Sequence, residues 1–265
     1  MPKIPNSDIS YHHSADIPQK SKFHRHMHND YEILFFVSGN ADYIIEGSVY
    51  HLEERDLLFI PPRTFHYLIP KSEARYERFV LNFSEGDLPE DVQPLLPPTA
   101  KVYHIPKDSS IERFFVDWRG FKHLGREEML IAYLRSAFPT LLLFLDLLSA
   151  PEPIAPIRTN DTLDTILRYI DTHPWERISA TSLSARFYMS SSWIVHTFQR
   201  ELGITLMQYV SKKRILYAQS RIRSGVSPTA AAKECSYDSY VTFYRQYKRI
   251  LECSPHDDFP KEGRQ

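Results

Sequence analysis

Three histidines and a glutamate in the first quarter of the chain have the side chains and the spacing of a metal site. His26 and His28 lie two positions apart, Glu32 follows four positions later, and His66 comes 34 positions after Glu32. On an extended strand, alternation places His26 and His28 on one face. Three imidazoles and a carboxylate suit a borderline divalent ion such as Zn, Ni, Fe or Mn. The same side chains could instead line a pocket that hydrogen-bonds a small polar effector without an ion.

Short strands must position these side chains. Residues 23–83 contain runs rich in β-branched and aromatic residues, separated by turn signals such as SGN and EGS. The EGS sequence predicts a hairpin at 46–48. Many short strands with no intervening helix predict a sandwich or small barrel.

Helical patterns begin after a proline-rich loop. Apolar residues recur at three- and four-residue spacing from about Ser109 to Ser149, which predicts amphipathic helices. We expect these helices to pack the barrel and to supply a homodimer interface, although the leucine-rich stripe at 141–148 could equally be core of its own domain. The longest apolar stretch, 138–150, carries Asp146 and is too short to cross a bilayer.

The composition fits a globular protein without a disulfide framework. The apolar fraction is 42% and the charged fraction is 25%. Eight glycines against 19 prolines argue against a glycine-rich nucleotide-binding scaffold. The two cysteines, Cys235 and Cys253, form no CxxC motif. With no apolar core at the N-terminus, we expect a cytoplasmic protein without a signal peptide and without a membrane partner.

The two halves of the chain differ in charge. From Arg158 to the end there are 16 Lys+Arg and 11 Asp+Glu, a net charge of +5, while the remainder holds 16 and 22, a net charge of −6. A basic second half favours a polyanionic partner. The predicted domains are a barrel at 1–105, a helical packing and dimerisation region at 106–150, a proline-rich linker at 151–160 and a helical domain at 161–260.

The last third of the sequence contains two units of the same kind. Each has a short helix, a turn of about four residues and a second helix with polar or basic residues on one face: SLSARF–YMSS–SWIVHTFQREL and TAAAKE–CSYD–SYVTFYRQYKRIL. This is the pattern of a helix-turn-helix, whose second helix enters the major groove of DNA. A long helix rich in Lys and Arg joins the two units.

The stretch from Ser179 to Pro255 resembles the DNA-binding domain of AraC-family transcription regulators. The positions that carry the resemblance in the first unit are Ala185, Ser190, Phe198, Gly203, Thr205, Tyr209, Arg214 and Ala218. In the second unit they are Ser236, Tyr237, Phe243, Tyr247, Lys248, Arg249, Ser254 and Pro255. Three departures stand out: Ser236 and Glu252 replace glycines that are usual in the family, and HDDF at 256–259 replaces a Tyr-Arg pair.

The resemblance implies which residues contact double-stranded DNA. The groove-facing positions are Ser192, Val195, His196 and Gln199 in the first unit, and Tyr240, Val241, Tyr244 and Arg245 in the second. The candidates for phosphate contact are Arg200, Lys212, Lys213, Lys248 and Arg249. Trp193, Ile194, Phe198, Phe243 and Tyr247 are expected in the core.

The stretch from about residue 20 to residue 85 is similar to the cupin β-barrel, which AraC-family regulators often carry as a sensor. His26-x-His28-x₃-Glu32-x₆-Gly39 matches the first cupin motif, and DLLFIPPRTFH matches the second, with Arg55 and Arg63 in place of usual glycines. The resemblance implies that His26, His28, Glu32 and His66 converge inside the barrel. The expected effector pocket adds His24, Tyr31, Phe35, Tyr43, Phe65 and Tyr67, and Asp30 could join or orient the ligands. Aromatic walls with a few polar groups suit a sugar-like or other small metabolite.

These patterns together predict an α+β multidomain protein. We expect a sequence-specific transcription regulator whose barrel binds a small effector and whose paired helix-turn-helix units bind promoter DNA, with RNA polymerase as a further partner. This role needs no catalysis. The alternative is a cupin metalloenzyme, of dioxygenase or isomerase type, fused to a DNA-binding domain.

Overall fold

The structure is a computed structural model that describes residues 1–5, 7, 9–18, 25–147, 154–157 and 160–260. The chain divides into two compact units, Met1–Arg158 and Thr159–Gln265. The helices predicted from about Ser109 to Ser149 therefore belong to the first unit.

The first unit contains two antiparallel sheets, which confirms the prediction of a barrel-like fold of short strands. The strands are β1 (Ser10–Asp16), β2 (Tyr31–Ser38), β3 (Ala41–Ile45), β4 (Ser48–Leu52), β5 (Asp56–Ile60), β6 (His66–Pro70), β7 (Tyr76–Phe83) and β8 (Lys101–His104). The larger sheet has the order β1-β7-β2-β5-β8 and the smaller one β4-β3-β6. The strands β1 and β8 lie outside the region predicted from the sequence. They were missed because both contain few β-branched residues, and both occupy edges of the larger sheet.

Alternating side chains divide the apolar residues of the larger sheet between two cores. Leu34, Phe36 and Leu58 point towards the smaller sheet and pack with Tyr43 and Leu68. Their neighbours point to the opposite face, which is covered by helices α1 (Ser110–His123) and α2 (Glu127–Leu147). The first unit is therefore a helical layer, a five-stranded sheet and a three-stranded sheet.

Helix α2 is much longer than the apolar stretch noted in the sequence. It has 21 residues and is, by length and composition alone, the one helix of the described residues that could cross a membrane. Its residues Leu130, Leu134, Phe138, Leu141 and Leu142 are buried in the core beneath the larger sheet. This is the packing of a core helix, so the stripe serves the domain's own core, at least along this face.

Residues 154–157, which were predicted to be linker, lie against the first unit. The Ile154 amide donates to the Val102 carbonyl at 2.7 Å, and the Ile157 amide donates to the Val49 carbonyl at 2.8 Å. Val102 lies in β8 and Val49 in β4, the edge strands of the two sheets. This segment, which we call the strap (residues 154–157), therefore bridges one edge of each sheet.

The second unit is helical in the described residues. Its helices are α3 (Asp161–Thr172), α4 (Ala180–Phe187), α5 (Ser191–Thr197), α6 (Leu206–Arg223), α7 (Pro228–Glu234) and α8 (Tyr240–Leu251). A π-helical turn at Phe198–Leu202 continues α5. Side-chain oxygens of Ser179, Ser190, Thr205 and Ser227 cap the first turns of α4, α5, α6 and α7. Ile194, Phe198, Phe243 and Tyr247 are fully buried, as predicted, while Trp193 is half-buried.

The residues that replace usual glycines all have left-handed backbone conformations. The φ angles are +69° at Arg55, +62° at Arg63, +57° at Ser236 and +59° at Glu252. The left-handed backbone that glycine usually adopts at these positions is kept. The resulting strain costs about 1–2 kcal/mol per non-glycine residue. The glycine of the first motif, Gly39, also has a positive φ of +127°, and a Cβ there would lie 2.6 Å from the Cβ of Tyr76.

We expect Glu252→Gly to stabilise the second unit by about 0.5–1 kcal/mol. Glu252 ends α8 in the left-handed conformation and its amide bonds to the Lys248 carbonyl, which is the position that glycine prefers. Relief of the strain exceeds the extra chain entropy of glycine in the unfolded state. Urea unfolding measures the change. Glu252→Ala is the control, because it removes the carboxylate but keeps the Cβ; an equal gain in both variants would contradict the explanation.

Candidate functional site

The ligating atoms of His26, His28, Glu32 and His66 converge between the two sheets. All four lie within 4.8 Å of one another. Glu32 and His66 are buried, His28 is half-buried and His26 is exposed, so the cluster runs from the interior to the surface. The structure thus brings together residues separated by up to 40 positions in the sequence.

Backbone hydrogen bonds fix the two histidine segments next to each other. The amide of His26 donates to the carbonyl of His66 at 3.2 Å, and the amide of His66 donates back at 3.0 Å. The Arg63 amide donates to the His28 carbonyl at 2.6 Å, which the left-handed conformation of Arg63 allows. Glu32 reaches the cluster from β2, on the same inner face as Leu34 and Phe36.

The imidazoles are oriented by backbone carbonyls. Nδ1 of His28 lies 2.9 Å from the carbonyl of Asp30, and Nδ1 of His66 lies 2.9 Å from the carbonyl of Thr64. A carbonyl only accepts, so each Nδ1 carries a proton and each Nε2 faces the cluster. Asp30 was expected to orient a ligand through its side chain, and it does so through its backbone. Thr64 was not predicted, because a carbonyl leaves no signal in residue type.

Glu32 holds the negative charge of the cluster. Burial would raise the pKa of Glu32, but the neighbouring imidazoles of His66 and His28 hold it well below its usual range. Burial would lower the pKa of His28, but the hydrogen bond and charge of Glu32 outweigh this and raise it. Tyr43 donates its hydroxyl to Glu32 Oε1 at 3.1 Å, and burial beside that carboxylate raises the pKa of Tyr43 far above its usual value.

The cluster fits a divalent cation. Nε2 of His66 is buried and makes no hydrogen bond among the described residues, although it lies 3.5 Å from Glu32 Oε2. A buried nitrogen lone pair without a partner costs free energy that a metal ligand bond would recover. Metal bonds of about 2.0–2.2 Å at a tetrahedral ion place the donors about 3.4 Å apart, so the four side chains, within 4.8 Å of one another, would have to close by about 1 Å.

Among the aromatic residues predicted to line the pocket, Tyr43 contacts the cluster through its hydrogen bond to Glu32. Its ring lies parallel to that of His66, with centroids 6.1 Å apart. Tyr31 and Phe35 are corrections: they point to the opposite face of β2 from Glu32, where Tyr31 stacks on Phe83 and Phe35 stacks on Phe115. Strand alternation is the cause.

Phe65 and Tyr67 are further corrections to the predicted pocket. Tyr67 lies on the opposite face of β6 from His66 and Leu68, and Phe65 packs edge-on against it with centroids 5.9 Å apart. The guanidinium of Arg25 lies 4.9 Å above the Tyr67 ring. The predicted pocket residue His24 lies outside the described residues.

The first predicted DNA-reading helix presents its candidate residues to solvent. They are all exposed, namely Ser192, Val195, His196, Gln199 and Arg200. Gln199 and Arg200 lie in the π-helical turn rather than in α5, and Arg200 pairs with Glu201 at 2.8 Å. The buried face of the same helix holds Ile194, Thr197 and Phe198. This division between an exposed and a buried face is what a helix docked in a groove requires.

The second predicted reading helix, α8, has an exposed basic face. Val241, Arg245, Lys248 and Arg249 are exposed, and Tyr244 is half-buried. Tyr240 departs from the expectation, since its hydroxyl is buried without a hydrogen bond among the described residues and its ring packs on Phe243. Its ring therefore supports the helix in this structure instead of offering a hydroxyl to a base.

Lys213 is a correction to the predicted phosphate contacts. Its side chain is only 3% exposed, and its ammonium lies 2.6 Å from Asp171 Oδ1 and 5.0 Å from the centre of the Tyr209 ring. Helical periodicity explains this position, because Lys213 lies four residues after the buried Tyr209 on the inward face of α6. Its neighbour Lys212 is half-buried, and burial lowers its pKa.

Asp258 joins the segment that departs from the family pattern to helices α6 and α8. Its carboxylate accepts hydrogen bonds from Tyr247 at 2.7 Å, Gln219 at 2.9 Å and Arg223 at 2.9 Å. Burial would raise the pKa of Asp258, but these bonds, with one from Cys253, hold it below its usual value. The HDDF segment thus supplies a link between α6 and α8.

Asp258→Asn should destabilise the second unit by about 2 kcal/mol near neutral pH, because hydrogen bonds to a charged acceptor contribute about 1.5–3 kcal/mol. Since the folded pKa is lowered, this stability is present above the unfolded pKa of about 3.9 and is lost as the pH falls through the folded value. Urea unfolding of the two proteins should therefore differ at neutral pH and converge in acid. Asp257→Asn, at the exposed neighbouring position, is the control, and a pH-independent difference would contradict the assignment.

Two family models match the chain, in order along it. Residues 10–116 match the AraC-like ligand binding domain, and residues 183–259 match a helix-turn-helix domain. The first match covers both sheets and the start of α1, and the second covers α5 to α8 with most of α4. Together they account for more than half of the chain.

Two of the relatives are transcription regulators by their descriptions. The chain is 31% identical over 88 residues to the "Probable transcriptional regulator LumQ" of Photobacterium leiognathi, covering 33% of this chain and 36% of that protein. It is 23% identical over 235 residues to the "Uncharacterized HTH-type transcriptional regulator YbfI" of Bacillus subtilis, covering 82% and 79%. In the first relatives the chain spans between 34% and 44% of the relative's own length.

Among solved structures, ToxT from Vibrio cholerae aligns with 95% of this chain and 97% of its own, at 11% identity and a TM-score of 0.40. The assignment rests on the two matched domains and on their order, which agree with the sheet and helical units described above. The chain belongs to the AraC-type regulators, with an AraC-like ligand-binding domain followed by a helix-turn-helix domain.

Proposed function

We propose that this protein is a sequence-specific DNA-binding transcription regulator controlled by an effector in its first unit. The observation that carries the proposal is the pair of helix-turn-helix units, each with an exposed polar or basic face on its second helix. The net charge of +5 from Arg158 onward supports attraction to phosphates. Ser192, Val195, His196, Gln199, Val241, Tyr244 and Arg245 are the proposed groove residues, with Arg200, Lys212, Lys248 and Arg249 on the phosphates.

Binding of the full chain to its own promoter region tests the proposal. Fluorescence anisotropy should show an affinity that falls steeply with salt, because each phosphate contact contributes about −0.9 to the logarithmic slope. A scrambled duplex of equal length should bind more weakly. Equal, salt-independent affinity for both duplexes would overturn the proposal. A suitable protein control is Lys233→Ala, which removes an exposed charge from α7, the first helix of the second helix-turn-helix.

We expect Arg245→Ala to cost about 1–3 kcal/mol of binding and to relax the preference at one base pair, because a guanidinium can bind guanine in a bidentate manner. Binding measured across duplexes that vary one base pair at a time checks this. Lys248→Ala is the matched comparison on the same helix and should weaken all duplexes alike. If Arg245→Ala also weakens all of them equally, Arg245 is a phosphate contact.

For the first unit we propose a cupin-type barrel that senses a small polar effector, sugar-like or otherwise, together with a divalent ion on His26, His28, Glu32 and His66. The orphaned Nε2 of His66 supports the ion. Zn, Ni, Fe and Mn all suit this set of donors. Such an ion would supply a Lewis-acid centre for an anionic or hydroxyl-bearing ligand. Metal analysis of protein purified without an affinity tag tests this.

A second candidate function, metal-dependent turnover, rests on the same four side chains. We favour sensing without catalysis, since the family match is to a ligand-binding domain. His28→Ala separates the two functions. Loss of the effector response with DNA binding retained supports a sensor, whereas loss of a measurable turnover supports an enzyme.

We also propose a homodimer formed through the exposed face of α2. Leu143, Phe144 and Leu147 are apolar and 46%, 36% and 75% exposed. Sedimentation of Leu143→Glu/Leu147→Glu should show a monomer where the wild type is a dimer. Leu124→Glu is the control, as Leu124 is 71% exposed near the end of α1. A dimer that survives the double substitution would place the interface elsewhere.

The remaining partners follow from this role. We propose that the protein acts in the cytoplasm, where it meets promoter DNA and RNA polymerase. In vitro transcription with purified polymerase, with and without effector, would show whether the protein activates or represses. No change in transcript level under either condition would contradict a direct action on the polymerase.

A further inference from the structure

A cavity of about 240 Å³ lies on the outer side of the five-stranded sheet, between β1 and the turn that joins α1 to α2. Its walls include Tyr11, His13, Trp118 and Leu130, and Pro2 closes one side. Tyr11, Trp118 and Leu130 belong to the core beneath the helices, whereas Glu32 and His66 lie between the two sheets. The larger sheet therefore separates this cavity from the histidine cluster.

The apolar part of the cavity is aromatic and rigid. The rings of Tyr11 and Trp118 meet edge to face, with centroids 6.0 Å apart at 72°. The imidazole of His13 stacks on Phe79 with centroids 4.1 Å apart, nearly parallel at 6°. Tyr11 is also held by its hydroxyl, which donates to Glu127 Oε1 at 3.1 Å. Walls held in this way favour a planar apolar ligand.

His13, one of the residues that line the cavity, has a buried ring nitrogen without a partner in the part of the chain that the structure describes. Nδ1 of His13 is buried and makes no hydrogen bond among the described residues, and the side chain is only 9% exposed. Its other nitrogen, Nε2, lies 2.8 Å from Glu77 Oε1. The carboxylate can only accept, so Nε2 carries the proton and Nδ1 is a lone-pair acceptor. Burial lowers the pKa of His13, more than Glu77 raises it, which keeps the ring neutral.

The charged groups at the cavity balance each other. Lys122 and Glu127 both line it and are both exposed. The Lys122 ammonium already donates to the His13 carbonyl at 2.8 Å, and Glu127 already accepts from Tyr11. A neutral ligand therefore fits better than an ion of either sign.

We infer that this cavity is a second ligand site, which takes a neutral one- or two-ring aromatic molecule with a hydroxyl or N–H group that donates to His13 Nδ1. Benzene occupies an engineered cavity of about 150 Å³ in another protein, so the space here holds a substituted ring. The α1–α2 turn forms part of the wall, and binding would stabilise the seating of these helices on the sheet.

Phenol and toluene are the matched probes, because they share a ring and differ in the donor. In ligand-observed NMR titrations of the full chain, phenol should bind saturably and at least about fivefold more tightly than toluene, since a buried acceptor left unpaired costs about 1–3 kcal/mol. Tryptophan fluorescence should change on saturation, as Trp118 lines the cavity.

His13→Phe keeps the stacked ring and removes the acceptor, so phenol should lose its advantage over toluene while toluene still binds. His51→Phe, an exposed histidine on β4, should retain the wild-type preference. Metal uptake and DNA binding of His13→Phe should equal those of the wild type, which separates this site from the proposed function. The inference is overturned if phenol does not bind saturably, if the preference survives in His13→Phe, or if a phenol-soaked crystal holds only water at Nδ1.

Discussion

Glu32→Gln should abolish the stabilisation that a divalent ion gives to the first unit. The substitution keeps the shape of the side chain and an oxygen that accepts from Tyr43, but it removes the charge that faces His28 and His66. Loss of groups that only orient a metal ligand reduces metal affinity about 10–100-fold. Loss of the one charged ligand should exceed this, so we expect at least a 100-fold weaker affinity for Zn or Ni.

The increment in stability on adding metal is the measurement. At a free metal concentration of about 100 times the dissociation constant, the wild type should gain about 2.7 kcal/mol, and Glu32→Gln should gain almost nothing at that concentration. The absolute melting temperature is not the readout, because a carboxylate whose pKa is lowered on folding also stabilises the metal-free protein.

Asp42→Asn is the matched control for this experiment. Asp42 pairs with His51 at 2.9 Å and with Lys71 at 2.9 Å, away from the cluster. The variant should keep the wild-type response to metal. A wild-type protein that takes up no ion, or a Glu32→Gln protein that responds as the wild type does, would remove the metal from the proposal and leave a polar pocket.

Asp171→Leu should destabilise the second unit by about 3 kcal/mol. The Lys213 ammonium is buried, and it lies 2.6 Å from Asp171 Oδ1. Removing one partner of a buried ion pair costs about 3–5 kcal/mol because the remaining charge is poorly solvated. Asp171 is 37% exposed, so water reaches the pair and the lower end of that range applies.

Lys213→Met should cost much less, within about 1 kcal/mol, because an apolar side chain of similar length fills the same space. It should also restore most of the stability of Asp171→Leu when the two are combined. Urea unfolding of the two single variants and the double variant measures this coupling. Additive losses in the double variant would show that the pair contributes little.

The same substitution tests the correction to the DNA-binding surface. Lys213→Met should leave DNA affinity and its salt dependence unchanged, whereas Lys212→Met should lower the salt slope by about one. A fall in the slope for Lys213→Met would show that Lys213 leaves Asp171 and reaches phosphate when DNA binds.

The two lysines show where sequence reasoning stops. Charge and helical position predict a basic α6, and both Lys212 and Lys213 fit a phosphate contact. Only the phase of the helix separates them, and Tyr209, four residues earlier and fully buried, fixes that phase. The buried position of a lysine also depends on Asp171 in α3, which lies 42 positions away, and no local pattern announces such a partner.

The histidine cluster was more predictable than its surroundings. Strand alternation predicts that His26 and His28 share a face, and the resemblance to the two cupin motifs implies that Glu32 and His66 join them. The pocket walls were predicted from aromatic content, and this placed Tyr31 and Phe35 on the wrong face. Strand alternation from Glu32 already excludes Tyr31 and Phe35, because they lie one and three positions away. The orientation of His66 by the Thr64 carbonyl has no equivalent signal in the sequence, since every residue has a backbone carbonyl.

The left-handed residues carry a different lesson. Four positions where glycine is usual have other residues in this sequence, which argues against a left-handed backbone there. The structure keeps the left-handed conformation at Arg55, Arg63, Ser236 and Glu252, because neighbouring hydrogen bonds require it at the cost of local strain. A position where glycine is usual therefore predicts a left-handed backbone conformation. Another residue at that position does not exclude this conformation.

The strap also affects whether copies of this protein can pair through exposed strand edges. Strands β4 and β8 end their sheets, and an open strand edge can pair with the edge of another chain and lead to aggregation. The amides of Ile154 and Ile157 donate to carbonyls on these two edges. Pro156, between them, has no amide to donate. An isolated ligand-binding domain should therefore end after residue 157, because a shorter fragment that stops at α2 would leave both edges open to β-pairing.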